Sequence, residues 1–258
     1  MALAYDRYFA SGRYDRRYPR PNPVVMRAVR RWASCRNPDL IDFGCGSGRY
    51  TLAFAPFCRS IVGYDVCATA LSRAEQARGQ RGAPANVHFA DPGVFSAACH
   101  RAAYGPADMA LAIFGVIAHI ENDDERTAAL VELRRAVRAG SGRAVISVPN
   151  RRRRFRREQR RGDGDPTRVV YERHLPAERI RLFYRLYDSS TLRRELEHAG
   201  FEVLAIMAES TLPERLVAGS ALARLFERML TPLVPADAGY GLLAVAQRPA
   251  ADDDAGHA

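Results

Sequence analysis

The chain has 258 residues, 47% of them hydrophobic, and a formal net charge of +10. That length supplies one sizeable core and predicts a single α/β domain with insertions. The longest apolar run, Met109 to Ala118, falls far short of the roughly 20 residues that span a bilayer, no apolar signal-peptide core opens the chain, and the five scattered cysteines lack C-x-x-C spacing, so no disulfide framework or metal site is expected and the reducing cytoplasm fits best.

In chain order, "VVMRAVRRWASC" (24–35) has apolar residues at helical spacing, with Pro19, Pro21 and Pro23 before it. "DLIDFG" reads as a buried strand ending at Gly44, and "RYTLAFAPFC" as a short helix stopped near Pro56. "SIVGYD" is a second strand, "ATALSRAEQARG" a helix closed by Gly79, and "NVHFAD" a third strand. "DMALAIFGV" is a fourth, followed by the helix "DDERTAALVELRRAVRAG" with acids first and Gly140 last. "GRAVISVPN" is a fifth strand stopped by Pro149. A long polar, arginine-rich segment follows, then the helix "DSSTLRRELEHAG" and the strands "FEVLAIMAES" and "GYGLLAVAQR". Between those two strands, "ERLVAGSALARLFERMLTPL" reads as one amphipathic helix. Its apolar face (Leu216, Leu222, Leu225, Phe226, Met229) is expected to meet the core or a second copy rather than lipid. The alternation predicts a doubly wound, mostly parallel seven-stranded sheet with helices on both faces.

The charge is uneven. "RRRRFRREQRR" (151–161) holds eight arginines and one glutamate, which is most of the net excess. All 39 basic residues are arginine, so the clustering carries information and the residue type does not.

"LIDFGCGSGRY" (40–50) follows the first strand. It fails the dinucleotide fingerprint G-x-G-x-x-G: counted from Gly44 the third glycine is replaced by Arg49, and counted from Gly46 by Thr51. It lacks the G-K-[ST] of a P-loop. What remains is D-x-G-x-G-x-G with Asp42 at the strand end, or a tight turn that holds nothing. Asp65 and Asp91 end the second and third strands. Acids at successive strand ends converge at the carboxyl edge of a parallel sheet.

With these residues the chain resembles the class I S-adenosylmethionine-dependent methyltransferases, over roughly 38–150 and more weakly over 185–248. The resemblance implies S-adenosylmethionine as cofactor. It implies that Gly44, Gly46 and Gly48 let the backbone approach the methionine moiety, and that Asp42 serves near the cofactor amino group. It assigns the ribose diol to Asp65 with Val66 beside it, and the adenine amino group to Asp91. Two carboxylate oxygens match a diol. "DMALAIFGVIAHIEN" resembles the family's fourth-strand segment, with Phe114 beside the methionine moiety and His119 beyond it. The plain account of His119 is a ring satisfied by backbone; the functional account is a general base or a donor to substrate, with His174, Tyr171 and Glu121 as further candidates.

The resemblance divides the chain into an N-terminal segment and helix that could form a lid (1–37), the cofactor-binding half (38–150), an arginine-rich insertion (151–187), a C-terminal part with the amphipathic helix (188–248) and a disordered tail (249–258). The first expected acceptor is a small or lipidic molecule, methylated on oxygen or nitrogen, because "GRAVISVPNR" and "LYDSSTLRRELEHAGFEVL" resemble quinone-biosynthesis and related enzymes. The alternative is tRNA, or an anionic surface, held through Arg151, Arg152, Arg153, Arg154, Arg156, Arg157, Arg160 and Arg161. "RLFYRLYD" only distantly echoes the tRNA wobble-uridine enzymes. A third reading is a non-catalytic, cofactor-binding partner subunit.

Overall fold

The computed structural model describes residues 2–91, 93, 95–161, 164–175 and 178–250. Two short helices open it, α1 (Ala2–Ala10) and α2 (Arg13–Arg17), followed by α3 (Pro23–Trp32). Helix α3 starts where Asn22 accepts from the Val24 N–H and Pro23 takes the first position.

The sheet region then runs β1 (Asp39–Phe43), α4 (Thr51–Phe54), β2 (Ser60–Tyr64), α5 (Ala68–Gln80), β3 (Val87–Ala90), α6 (Ala97–Tyr104), β4 (Met109–Ala112), α7 (Asp123–Ala136) and β5 (Arg143–Pro149). Next come α8 (Arg156–Arg161), β6 (Arg168–His174), β7 (Arg179–Arg185), α9 (Ser189–His198), β8 (Glu202–Ser210), α10 (Glu214–Gly219), α11 (Ala221–Leu230) and β9 (Gly241–Gln247).

Seven strands form one sheet in the order β3-β2-β1-β4-β5-β9-β8. Neighbours from β3 through β5 pair in parallel, and β9 runs antiparallel to both β5 and β8. Both faces are covered: Ile41 packs in one core cluster and its neighbour Leu40 in the other, as expected for a strand buried on both sides.

Several elements differ from the sequence expectation. Helix α6 was not expected; Ser96 caps it by accepting from the Cys99 N–H. Helix α7 ends at Ala136, short of Gly140, because Val137 turns extended and bridges Ala107. The arginine-rich segment holds α8 and a hairpin, β6–β7, which forms a separate two-stranded sheet. The single amphipathic helix is two: Ser220 is extended, ends α10, and caps α11 by accepting from the Ala223 N–H. Its apolar face is not in the core. Leu216 on α10 and Leu222, Leu225, Phe226 and Met229 on α11 are exposed, whereas Glu227 of α11 is fully buried. Glu227 accepts from the N–H groups of Thr211 and Leu212 and from the hydroxyls of Thr211 and Thr231. The backbone groups of that turn need an acceptor in the interior, and this carboxylate supplies it. Most of the expected tail, 251–258, lies outside the described residues.

Candidate active site

The turn after β1 is shaped by its glycines. Gly44 has φ +73°, and a Cβ there would lie 2.5 Å from the Val116 side chain. Gly46 has φ +56°, and a Cβ would meet the Phe9 ring at 3.0 Å. Such backbone is open to glycine and strained for other residues. The N–H groups of Gly44 and Cys45 both donate to the Tyr64 carbonyl, which pins the turn to the end of β2.

Gly44 and Gly46 line a cavity of about 430 Å³ at the carboxyl edge of the sheet. Asp65, Val66, Phe114 and His119 line it too. A cavity of that size, mostly apolar with a few convergent polar groups, suits a cofactor-sized ligand. Asp65 accepts from Gly46 N–H at 2.8 Å through one oxygen and from Cys67 N–H at 2.9 Å through the other. Each oxygen keeps a lone pair for a hydroxyl. Burial raises the Asp65 pKa, against the pull of those two N–H bonds, and the nearby Asp91 charge adds to the rise. Val66 is 61% exposed and offers an apolar surface beside it.

Three of the expected residues are not on the cavity wall. Asp42 is buried under the turn, where Thr51 Oγ1 donates to it at 2.5 Å. Burial pushes its carboxyl up to about 6. Gly48 faces the Phe89 ring, which a Cβ would meet at 2.8 Å. Asp91 is exposed at the end of β3 and accepts from the Gly93 N–H at 2.8 Å.

Phe114 is a non-glycine residue at φ +72°. Backbone strain of this kind persists where surroundings over-determine it. Its N–H donates to Ser147 Oγ at 2.6 Å, and the Arg49 guanidinium lies 4.6 Å from its ring centroid.

His119 follows in a short helical turn. Its Nδ1–H donates to the Phe183 carbonyl on β7 at 2.7 Å. That bond leaves Nε2 as an acceptor, and the Tyr5 hydroxyl donates to it. Burial pushes His119 down to about 3, helped by the charges of Arg154 and Arg173 and opposed by the Phe183 bond. The ring is therefore neutral, which fits the plain account of it: the Phe183 carbonyl fixes one nitrogen and the Tyr5 hydroxyl meets the other. Of the other candidate bases, Glu121 lines the cavity, and Tyr171 stacks on Tyr184, whose ring packs 4.0 Å from the His119 centroid. His174 is exposed, at the outer end of β6.

The N-terminal segment forms the roof. Tyr5 and Phe9 of α1 and Tyr14 of α2 line the cavity opposite the glycine turn. The sequence marked this segment as a lid without singling out these rings. It also gave no sign of Glu209 and Glu214, two buried carboxyl groups behind Phe114. Asn22 Nδ2 donates at 3.2 Å both to the Glu214 carboxylate and to the Glu209 carbonyl, and Arg49 pairs with Glu214 at 3.4 Å. Burial, then repulsion by Glu214, pushes Glu209 up to about 8, so it is protonated near neutral pH. The only hint in the sequence is an acid closing an apolar strand.

A family model described as a methyltransferase domain matches residues 13–206. A search of curated proteins finds no match. Among solved structures, an S-adenosylmethionine-dependent methyltransferase from Clostridium acetobutylicum shares 12% identity, covering 90% of this chain and 92% of its own, with a TM-score of 0.60. A 1,6-didemethyltoxoflavin-N1-methyltransferase from Burkholderia thailandensis, solved with 1,6-didemethyltoxoflavin and S-adenosylhomocysteine bound, shares 18% identity over 96% of this chain and 88% of its own, with a TM-score of 0.60. A cyclase, SpnF, is similar as well, at 19% identity over 88% and 80% of the two chains and a TM-score of 0.57. At these identities the likeness is one of fold. The family model spans most of the chain, and with the glycine turn, Asp65 and the cavity between them it places the protein in the class I S-adenosylmethionine-dependent methyltransferase family, an enzyme whose cofactor is S-adenosylmethionine.

Proposed function

We propose that this methyltransferase acts on an oxygen or nitrogen of a small-molecule acceptor. The roof carries the reading: Tyr5, Phe9 and Tyr14 cover the cavity from α1 and α2, so an acceptor reaches the cofactor beneath a layer of aromatic rings. A cavity covered in that way admits a small molecule more readily than a folded RNA. The Burkholderia thailandensis enzyme, whose acceptor is small, has the same fold.

In this reading Gly44 and Gly46 pass under the methionine moiety. Asp65 accepts from the ribose hydroxyls, Val66 packs on the adenine, and Asp91 takes the adenine amino group from the end of β3. Asp42 acts from beneath, by holding the turn through Thr51. When bound, the cofactor supplies an electrophilic methyl group on a sulfonium centre. The chain's task is to hold the nucleophile in line. The Tyr5 hydroxyl and His119 Nε2 are the polar pair that can do so, because both line the cavity and His119 is oriented by the Phe183 carbonyl. A ring so strongly held neutral is a weak base, so its contribution is orientation first and proton removal second.

The arginine block gives tRNA less support. Arg151 pairs with Asp188 at 2.5 Å, Arg152 with Asp237 at 3.5 Å, and Arg153 donates to the Ala238 carbonyl at 2.6 Å. Arg154 lies among aromatic rings. Arg156, Arg157 and Arg160 are exposed, and the Arg161 side chain lies outside the described residues. A cytoplasmic site of action accords with five free cysteines; among the described residues no helix is long and apolar enough to cross a membrane. The test is transfer of labelled methyl from S-adenosylmethionine into a fractionated cell extract. Label is expected in the small-molecule fraction, and His119→Ala should slow the transfer while leaving cofactor binding intact. Label in RNA alone would refute the acceptor class, and cofactor binding with no transfer to any fraction would favour a partner-subunit role.

A further inference from the structure

Among the described residues, two guanidinium groups near His119 form no ion pair with a carboxylate. Arg154 follows β5 and points among three rings, its Cζ 5.1 Å from the Phe155 centroid, 5.4 Å from Tyr184 and 5.2 Å from Tyr240. Arg173, on β6, lies 4.9 Å from the Tyr8 centroid and donates to the hydroxyls of Tyr8 at 3.1 Å and Tyr171 at 3.3 Å. Its Nε is buried with no acceptor. Among the described residues, neither arginine forms an ion pair. This separates them from their neighbours in the chain, since Arg151 and Arg152 both meet aspartates. The Arg154 charge favours the ionised forms of Glu209 and Glu214 behind Phe114, but among the described residues neither carboxylate forms an ion pair with it, and Glu214 pairs with Arg49.

Buried or half-buried cations are normally paired. An orphaned guanidinium N–H in a native structure calls for a partner. The two arginines flank one aromatic layer. Tyr171 and Tyr184 stack at 5.6 Å with 6° between their planes, and Phe155 packs on both. Tyr184 in turn packs on His119, and a Cβ at Gly115, just past β4, would touch it at 3.1 Å. The layer therefore adjoins the carboxyl edge of β4 and β5 and the His119 wall of the cofactor cavity. Both guanidinium groups are close enough to disfavour charge on His119. Arg154 and Arg173 are each only partly covered as whole residues.

Resting on the small-molecule reading above, we propose that Arg154 and Arg173 bind an anionic group, a carboxylate or a phosphate, on the methyl acceptor, and that Phe155 and Tyr171, the partly exposed rings of this layer, take its planar body. The fork of a guanidinium matches both anions in bidentate fashion. The roof takes part, because Tyr8 of α1 lies on Arg173. An anion bound there would complete the coordination that the tyrosine hydroxyls begin.

The test uses the full chain saturated with S-adenosylhomocysteine and titrates it calorimetrically with benzoate, phenyl phosphate and benzamide. The expected result is that at least one of the two anions binds tenfold or more tighter than benzamide, and the comparison of the two anions identifies the preferred group. Arg154→Gln and Arg173→Gln should each erase the preference, while affinity for S-adenosylhomocysteine stays within twofold, which also shows that the variants are folded. Arg154→Lys should retain part of it. Equal or absent binding of all three probes by the unaltered protein would overturn the proposal, as would a preference that survives both glutamine substitutions. These outcomes separate from the acceptor class itself. Methyl transfer to neutral small molecules would leave the acceptor reading standing and refute the anion site; anion preference with label only in RNA would do the reverse.

Discussion

His119→Gln should flatten the acid sensitivity of folding. The neutral ring donates from Nδ1 to the Phe183 carbonyl and accepts from Tyr5 at Nε2, and a glutamine amide can reproduce one donor and one acceptor. Burial holds the folded pKa near about 3, against about 6.5 in an unfolded chain. Between those values the unfolded chain binds a proton that the folded one refuses, so this residue makes stability fall as pH falls. From pH 7 to pH 5 the full effect is about 2 kcal/mol. The ring lines a water-accessible cavity, so solvent screening reduces the expectation to about 1 kcal/mol. Asp42 and Glu209 act with the opposite sign: their folded pKa values are raised, so their contribution is present at low pH and is lost as pH rises through about 6 and about 8. Both are retained in the variant and cancel in the comparison. The assay is urea unfolding of both proteins at pH 7 and pH 5. The native protein should lose about 1 kcal/mol more than the variant on acidification. Equal losses would refute the claim that His119 is held neutral.

Other substitutions test the cofactor side and the fold. Gly44→Ala should destabilise by roughly 1–2 kcal/mol through its positive φ and by about 1–3 kcal/mol more through crowding of Val116, read as a fall in the urea midpoint. Asp65→Asn should weaken S-adenosylhomocysteine binding about ten- to hundredfold by calorimetry, because one amide N–H must then face the N–H of Gly46 or Cys67. Glu227→Gln should cost about 2–3 kcal/mol, since it replaces a buried carboxylate oxygen by a donor facing other donors. A variant as stable as the native protein would show that this turn is satisfied in another way.

The cofactor half was legible because its signals are local. Strand-end acids and a glycine turn sit within a few residues of the strands that position them, so Gly44, Gly46 and Asp65 stand out on reading along the chain, while Val66, Phe114 and His119 come from the family resemblance those residues carry. The contacts that complete the site are not local. Tyr5 meets His119 across 114 positions, and Asn22 meets Glu214 across 192. No spacing rule encodes such pairs. The β6–β7 hairpin was hidden for a different reason. Its exposed positions are mostly polar (Arg168, Glu172 and His174 with Val170 on β6, Arg179 and Arg181 on β7), only Val169 on β6 is buried, and the segment reads as a polar loop. Helix α11 misled through its stripe, which is apolar at the right period but faces outward because Glu227 holds the other face inside.

Strand β9 has a consequence for the order of assembly. It enters between β5 and β8 and pairs along seven residues with β5. The partner of a strand finished by residue 149 is therefore not made until residue 241 onward. During synthesis β5 and β8 both wait with open edges, and open edges of apolar strands are sites of intermolecular pairing. The parallel half, β1 to β4, can condense on the ribosome well before that. β9 thus acts as a zipper drawn late, and a chain cut between Ser210 and Gly241 would keep the cofactor turn while leaving the middle of its sheet open to other chains.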